Sequence, residues 1–197
     1  DSSNVRIRAN TKIMGDGMEK TFFKPRVPDT EVLFHMDQTI AQSQSAGFAY
    51  GVICQNFRLY GDKTWFDSGK NSPQVAEQRT LPKEINDDVG AFEMVGTFHT
   101  VFQSISIRYM TGHCFHFPYR ADIEAGPPPV TNDDGYTNAF VDLSQVHMNT
   151  NGKWGLYNQT FSTSLSAFMC HITDNEEGGV RITSPANRFR KCLVGFN

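Results

Sequence analysis

The alternation of apolar and polar side chains is the feature that most constrains what this chain can fold into. Residues 5–13 and 47–54 alternate at a period of two, and residues 105–109 repeat the pattern. This period is typical of half-buried β-strands. Residues 91–102 carry apolar side chains on both faces, which is typical of a strand in the middle of a β-sandwich. The pattern therefore predicts an all-β chain.

Turn signals separate these segments, among them Asp133-Asp134-Gly135 and Asn151-Gly152. About ten short antiparallel strands joined by such turns predict a β-sandwich or jelly roll, formed as a single domain over residues 1–197. Helix is limited to at most one or two short segments, at 37–44 and 72–79. Asn151-Gly152 is predicted to close a two-residue hairpin. No internal repeat is evident.

Composition narrows the class of protein. The 197 residues carry a formal net charge of -3, with 39% hydrophobic and 20% charged residues, which disfavours intrinsic disorder. The near-neutral charge argues against a nucleic-acid partner, which normally needs a basic patch. Uncharged apolar runs are shorter than the roughly 20 residues of a spanning helix. We expect a globular domain with no nucleic-acid partner and no membrane span.

Cysteines and one sequon predict the compartment. The four cysteines, which contain no C-x-x-C motif, are Cys54, Cys114, Cys170 and Cys192. Their even number and wide spacing favour two disulfides in a secreted or extracellular protein, with three pairings open. Four buried free thiols are the alternative. The sequon at Asn158-Gln159-Thr160 favours secretion and a glycan on Asn158.

Metal sites are weakly indicated. Ca²⁺ prefers clustered carboxylate, amide and carbonyl oxygens. Among three acidic loops, the preferred calcium site consists of Asn132, Asp133 and Asp134, and solvated turns are the alternative interpretation. No other cofactor is predicted. His113 and His116, three apart on a predicted strand, are expected to face opposite sides and not to share a metal, unless Gly112 forms a bulge there.

Aromatic residues in or beside turns suggest a binding surface. The residues selected as ligand-binding candidates are Trp65, Tyr60, Asp62, Tyr136 and Trp154. Aromatic rings stack on sugars or anchor protein partners, and loops on a rigid β scaffold commonly carry binding. The leading hypothesis is therefore an extracellular recognition domain that binds a glycan or a cell-surface protein. A homo-oligomeric, for example trimeric, head is a related interpretation, with residues 192–196 at the subunit axis.

A secreted polysaccharide-cleaving enzyme is the alternative function. On the predicted hairpin, His147 and Tyr157 lie on adjacent strands, where they could act as base and acid in β-elimination from a uronic-acid sugar. Gln145 or Arg108 would neutralise the sugar carboxylate. The strings at 145–147 and 157–159 resemble fragments of the jelly-roll alginate lyases. In that family the two strings lie far apart, and its basic-residue motif is missing here.

Overall fold

The computed structural model describes residues 5–24, 32–37, 49–61, 90–95, 97–118, 139–159, 163–183 and 186–195. These residues form β-strands and no helix. The predicted helices at 37–44 and 72–79 lie outside the described residues, apart from Asp37 at the end of a strand. The strands, in chain order, are β1 (Val5–Arg6), β2 (Lys12–Met14), β3 (Phe22–Phe23), β4 (Val32–Asp37), β5 (Ala49–Tyr50), β6 (Ile53–Tyr60), β7 (Gly90–Val95), β8 (Thr97–Arg108), β9 (Phe115–Phe117), β10 (Ala139–Ser144), β11 (His147–Asn149), β12 (Trp154–Asn158), β13 (Thr163–Phe168), β14 (His171–Thr173), β15 (Gly178–Ile182), β16 (Arg188–Arg190) and β17 (Leu193–Val194).

Strand pairing is parallel throughout the described residues. Sheet A has six strands in the order β1-β4-β7-β9-β12-β15, and sheet B contains the other eleven. The predicted antiparallel β-sandwich or jelly roll is therefore wrong. The alternation locates a half-buried strand but carries no information on the direction of its neighbour.

Successive coils of the chain produce the parallel pairing. The strands β10, β11 and β12 pair with β13, β14 and β15, and in each pairing the partner residue lies 24 positions later, as His147 does with His171. The strands β16 and β17 follow 22 positions further on. The chain thus advances by about 4.8 Å per coil, as in a parallel β-helix. The sequence shows no evident internal repeat, whereas the structure contains a repeat of 24 residues from one coil to the next.

The corners of the coil are made by residues in the left-handed backbone region. Ser104, Gln145, Met169 and Lys191 occupy equivalent positions in four coils, with φ between 52° and 55°. Such a conformation costs a non-glycine residue about 1–2 kcal/mol, so the packing of the coils must offset it. Gln145, Met169 and Lys191 turn the chain from one strand of sheet B into the next, whereas Ser104 bends β8 within its length.

The segment Asn151-Gly152, predicted as a hairpin turn, is a corner at which the chain passes from one sheet to the other. This segment joins β11 of sheet B to β12 of sheet A, and the two strands do not pair. Thr150, with a φ of 60°, begins the corner, and Asp174 repeats it one coil later with a φ of 57°. The hairpin prediction is wrong because the same turn residues also suit a change of sheet.

Two buried asparagines hold successive corners together. Asn151 and Asn175 are 0% and 2% exposed. The amide of Asn151 accepts a hydrogen bond from the Met110 N–H at 3.0 Å and donates one to the Asn175 side-chain oxygen at 2.8 Å. Asn175 in turn donates to the Met148 carbonyl at 2.8 Å. This ladder satisfies backbone groups that a corner would otherwise bury unpaired.

Aromatic rings stack along the interior between the two sheets. Phe34, Phe92 and Phe115, from three neighbouring strands of sheet A, have ring centroids 5.2 Å and 5.1 Å apart, with planes inclined by 17° and 9°. Phe102 of sheet B contacts Phe92 and Phe115 edge-on at 4.8 Å. All four side chains are buried, so the core couples the two sheets.

All four cysteines are free, so the predicted disulfides are wrong. Cys54, Cys114 and Cys170 are buried and Cys192 is half-buried. Burial raises the pKa of Cys54 to about 12 and is the main cause that raises the pKa of Cys170 to about 11. Each of these thiols therefore fills the core as a small apolar group.

Candidate active site on the outer face of sheet A

One outward-facing residue from each of five strands forms a continuous line across sheet A. The strand registers place His35 beside Glu93, Glu93 beside His116, His116 beside Tyr157, and Tyr157 beside Arg181. We call these five residues the outer row. Their immediate neighbours in the chain, such as Phe92 and Met94, point into the core, so the row faces outward. Four strand spacings of about 4.8 Å make the row roughly 19 Å long.

A carboxylate lies between two imidazoles in this row. The Glu93 carboxylate oxygens are 3.5 Å from Nδ1 of His35 and 3.6 Å from Nδ1 of His116. The three side chains are each only 19–22% exposed, so water screens their interaction less than it would at a free surface. Imidazole can both donate and accept a proton, which makes this group of residues suited to proton transfer.

Gln159 connects His116 to the hydroxyl of Tyr157. Its amide nitrogen donates to the Tyr157 oxygen at 2.8 Å, and its carbonyl oxygen lies 2.9 Å from Nε2 of His116. In this arrangement Nε2 of His116 is the donor to the amide. The phenolic hydrogen of Tyr157 is not used in the bond from Gln159. A chain of polar contacts therefore runs from Glu93 through His116 and Gln159 to Tyr157.

Aromatic rings and one cation surround the end of this chain. The His116 and Tyr157 rings stack with centroids 5.5 Å apart and planes 8° from parallel. The Arg181 guanidinium lies 5.2 Å from the centre of the Tyr157 ring and 5.9 Å from that of Trp154. These distances are within the range of a cation–π interaction. Trp154, Tyr157 and Arg181 together form a flat, partly exposed platform.

His113 joins the same group, contrary to the expectation that it faces away from His116. Its ring centroid is 4.9 Å from that of His116 and 5.0 Å from that of Tyr157. Its Nδ1 accepts a hydrogen bond from the Trp154 backbone N–H at 3.2 Å. Strand β9 begins only at Phe115, so the alternation of a regular strand does not apply to His113.

The catalytic residues predicted for the alternative function are divided between the two sheets. Tyr157 belongs to the outer row of sheet A, whereas His147 lies on β11 of sheet B and stacks on His171 at 4.8 Å. Arg108 lies on β8 of sheet B, and Gln145 lies on the corner between β10 and β11 of the same sheet. The side-chain oxygen of Gln145 accepts a hydrogen bond from the Ser104 hydroxyl at 3.0 Å. The proposed base and acid therefore come from different sheets, and His116 takes the place beside Tyr157.

The predicted ligand-binding residues are only partly described. Trp154 borders the outer row, whereas Tyr60 lies on sheet B, where its ring contacts Tyr109 edge-on at 4.9 Å. The remaining predicted ligand-binding residues, Trp65, Asp62 and Tyr136, lie outside the described residues.

The predicted calcium site, Asn132, Asp133 and Asp134, also lies outside the described residues. Within the part of the chain that the structure does describe, no three His, Cys, Asp or Glu side chains are placed to hold a metal ion. The sequon residue Asn158 is fully buried on β12, and a glycan at this position stays a prediction.

A shallow groove occupies a separate part of the surface, on sheet B. It has a volume of about 430 Å³, and Asp142, Ser166 and Arg188 line it in one register row. Phe140 also lines it and stacks on His99 at 4.7 Å. Among the described residues that line it, the groove contains no imidazole and no tyrosine, so it lacks the histidine and phenol groups of the outer row.

Sequence reasoning missed His35, Glu93 and Arg181 as site residues, although a local pattern marks His35 and Glu93, as it also marks His116. A polar residue sits between two apolar ones in Phe34-His35-Met36, Phe92-Glu93-Met94 and Phe115-His116-Phe117. The flanking side chains are buried in all three segments. A titratable residue isolated in this way must project from the outer face of its strand.

Comparisons with known proteins provide no further assignment. The chain matches no protein-family model, and neither the curated proteins nor the solved structures contain a match to it. Within the described residues, none of the secondary structure is a helix of the length and hydrophobicity needed to cross a membrane.

Proposed function

We propose that the outer face of sheet A binds an acidic carbohydrate. The observation that carries this proposal is the position of the Arg181 guanidinium against the rings of Trp154 and Tyr157. A guanidinium pairs with a carboxylate through two parallel hydrogen bonds, and Arg181 is exposed. Its cation–π contacts with Trp154 and Tyr157 hold the guanidinium at one end of the outer row, where it can meet a carboxylate of a bound sugar.

The shape of the outer row favours a polymer over a single sugar. Its residues lie on five adjacent strands in a line of roughly 19 Å, which is longer than one monosaccharide. His35, His116 and Gln159 supply hydrogen-bonding groups along this line. We therefore propose an oligosaccharide chain with carboxylate groups as the ligand. Secretion and assembly into homo-oligomers stay predictions.

Titration calorimetry with an oligouronate tests this proposal. We expect the wild-type chain to bind a uronic-acid hexamer and to bind a neutral hexasaccharide at least ten times more weakly. Arg181→Gln should lower the affinity for the acidic oligomer by at least tenfold. Arg190→Gln, which removes an exposed arginine from sheet B, is the matched control and should leave binding unchanged. Equal effects of the two variants, or no binding of the oligouronate, would contradict the proposal.

Cleavage of the bound polymer is a second candidate function, favoured by the contact chain from Glu93 to Tyr157. In β-elimination the bound uronate displaces the Gln159 side chain from His116, the ring proton of His116 moves to Nδ1 beside Glu93, and Nε2 takes the C5 proton. The bond from C4 to the glycosidic oxygen then breaks, and the leaving oxygen takes the Tyr157 hydroxyl proton. Arg181 lies where it can neutralise the sugar carboxylate, and no water is consumed.

Absorbance of the unsaturated product measures this reaction directly. Incubation with polyuronates should produce the C4=C5 double bond, and Tyr157→Phe should reduce the rate by at least a hundredfold. The variants His113→Gln and His116→Gln, assayed separately, identify the base. His147→Gln is the control from sheet B and should retain the rate. If the wild-type chain binds oligouronates but releases no unsaturated product, binding stands alone as the function.

A further inference from the structure

A group of cations lies on the outer face of sheet B, away from the outer row. The registers align Arg58 with Ser106 across β6 and β8, and Ser106 with His147 across β8 and β11. Arg108 lies two residues beyond Ser106 on the same face, and His171 stacks on His147 at 4.8 Å. We call Arg58, Ser106, Arg108 and His147 the basic cluster.

Three buried polar groups in this cluster have no partner. The Ser106 side chain is only 1% exposed and its hydroxyl makes no hydrogen bond. The Nε atoms of Arg58 and Arg108 are buried and likewise unpaired. A buried polar group without a partner destabilises the fold, so three in one place indicate that a ligand supplies the missing acceptors.

The charges around His147 are strongly unbalanced. Arg58 on β6, Arg108 on β8 and His171 on β14 face the imidazole of His147. Among the described residues, the carboxylate of Glu19 pairs with Arg58. Glu19 is 76% exposed, so water screens much of its charge. Burial, followed by the charges of His171, Arg108 and Arg58, lowers the pKa of His147. A bound anion would reverse these charge effects.

We propose that the basic cluster is a binding site for a tetrahedral oxyanion, a sulfate or a phosphate group. Two guanidinium groups can each donate more than one hydrogen bond to such a group, and the Ser106 hydroxyl donates another. The group is either a free ion or an ester on a larger molecule. The site does not depend on carbohydrate binding at the outer row, because the two lie on different sheets.

The imidazole resonances of His147 provide the test. Inorganic phosphate and inorganic sulfate are titrated separately into the full chain by NMR at low ionic strength, with chloride as the control. We expect saturable shifts of the His147 resonances with either oxyanion, and a higher pKa of His147 when the site is filled. A sulfated and a phosphorylated sugar form the second arm. Tighter binding of one ester than of its free ion identifies the larger molecule as the source.

Substitutions locate the site. Ser106→Ala keeps the arginines and should weaken oxyanion binding three- to tenfold, whereas Arg108→Gln should weaken it at least tenfold. Arg188→Gln, on the outer face of β16, is the matched control and should leave affinity unchanged. Circular dichroism verifies that each variant is folded. Non-saturating shifts in the wild-type chain, or an equal loss of affinity in Arg188→Gln, would overturn the proposal.

Discussion

Replacing Asn151 by alanine tests the corner ladder that joins successive coils. The Asn151 side chain accepts from the Met110 N–H at 3.0 Å and donates to the Asn175 oxygen at 2.8 Å and to the Ile107 carbonyl at 3.3 Å. Alanine removes all three bonds in a region where Asn151 is fully buried. The hydrogen-bonding groups that lose Asn151 as a partner are buried, so water cannot replace the lost bonds.

The size of the effect follows from the groups left behind. The Met110 N–H is left without this acceptor, and an unpaired buried donor costs about 1–3 kcal/mol. Asn175 keeps the Asn151 backbone N–H as a donor at 3.2 Å, so its loss is smaller. We expect Asn151→Ala to lower the free energy of unfolding by about 2–4 kcal/mol, a large part of the 5–15 kcal/mol typical of a domain.

Urea denaturation measures this loss, with Asn149→Ala as the control. Asn149 lies on the same segment but is half-buried, and its oxygen accepts from the Thr173 hydroxyl at 3.3 Å. The control should cost less than about 1 kcal/mol, because water can replace part of what is lost. The slope of the transition should stay the same in both variants. If the two variants are equally stable, the ladder is not what holds the corners.

Three further predictions concern the core, the thiols and pH. Phe92→Ala should destabilise the chain by about 3–5 kcal/mol in the same urea assay, because it opens a cavity in the ring stack, while Phe168→Ala at the surface should cost far less. In a native thiol titration at pH 8, Cys192 should react first and Cys54 only after unfolding, since burial raises the pKa of Cys54 to about 12; rapid modification of Cys54 in the folded chain would refute this. The pKa of His147 is lower in the folded chain than in the unfolded chain, so the unfolded chain binds the imidazole proton more tightly. The contribution of His147 to stability is therefore complete above the unfolded pKa and is lost as the pH falls from the unfolded pKa to the folded pKa. Unfolding measured between pH 7.5 and 5 should show a weaker pH dependence in His147→Gln, and an unchanged dependence would contradict the reasoning.

The sequence predicts the positions of the strands along the chain more reliably than it predicts which strands pair with each other. Residues 90–95 and 97–108 are strands, and Ile105 and Ile107 are buried on the face opposite Ser106, as alternation predicts. The alternation also breaks where the chain turns. Phe102 and Ile105 both point inward although they are three residues apart, because Ser104 adopts a φ of 52° between them.

The candidate site could be predicted only in part, because the local pattern does not show which strands lie side by side. The sequence indicates Tyr157, but the partner that it indicates, His147, stands ten residues away on a hairpin that does not form. In the structure Tyr157 lies beside His116, 41 residues earlier, because β12 pairs with β9 in parallel. A signal for the coils was present, since Val146-His147 and Cys170-His171 are similar pairs that stand 24 residues apart, and His147 pairs with His171 in the structure.

The amino-acid sequence by itself determined that this chain forms strands and that its phenylalanines fill a core, because these depend on local alternation and on the burial of apolar surface. The tertiary structure alone decided the parallel coils, the free thiols and the outer row. Those features depend on which coil lies above which, and residues brought together in this way are too far apart in the chain for any local pattern to pair them.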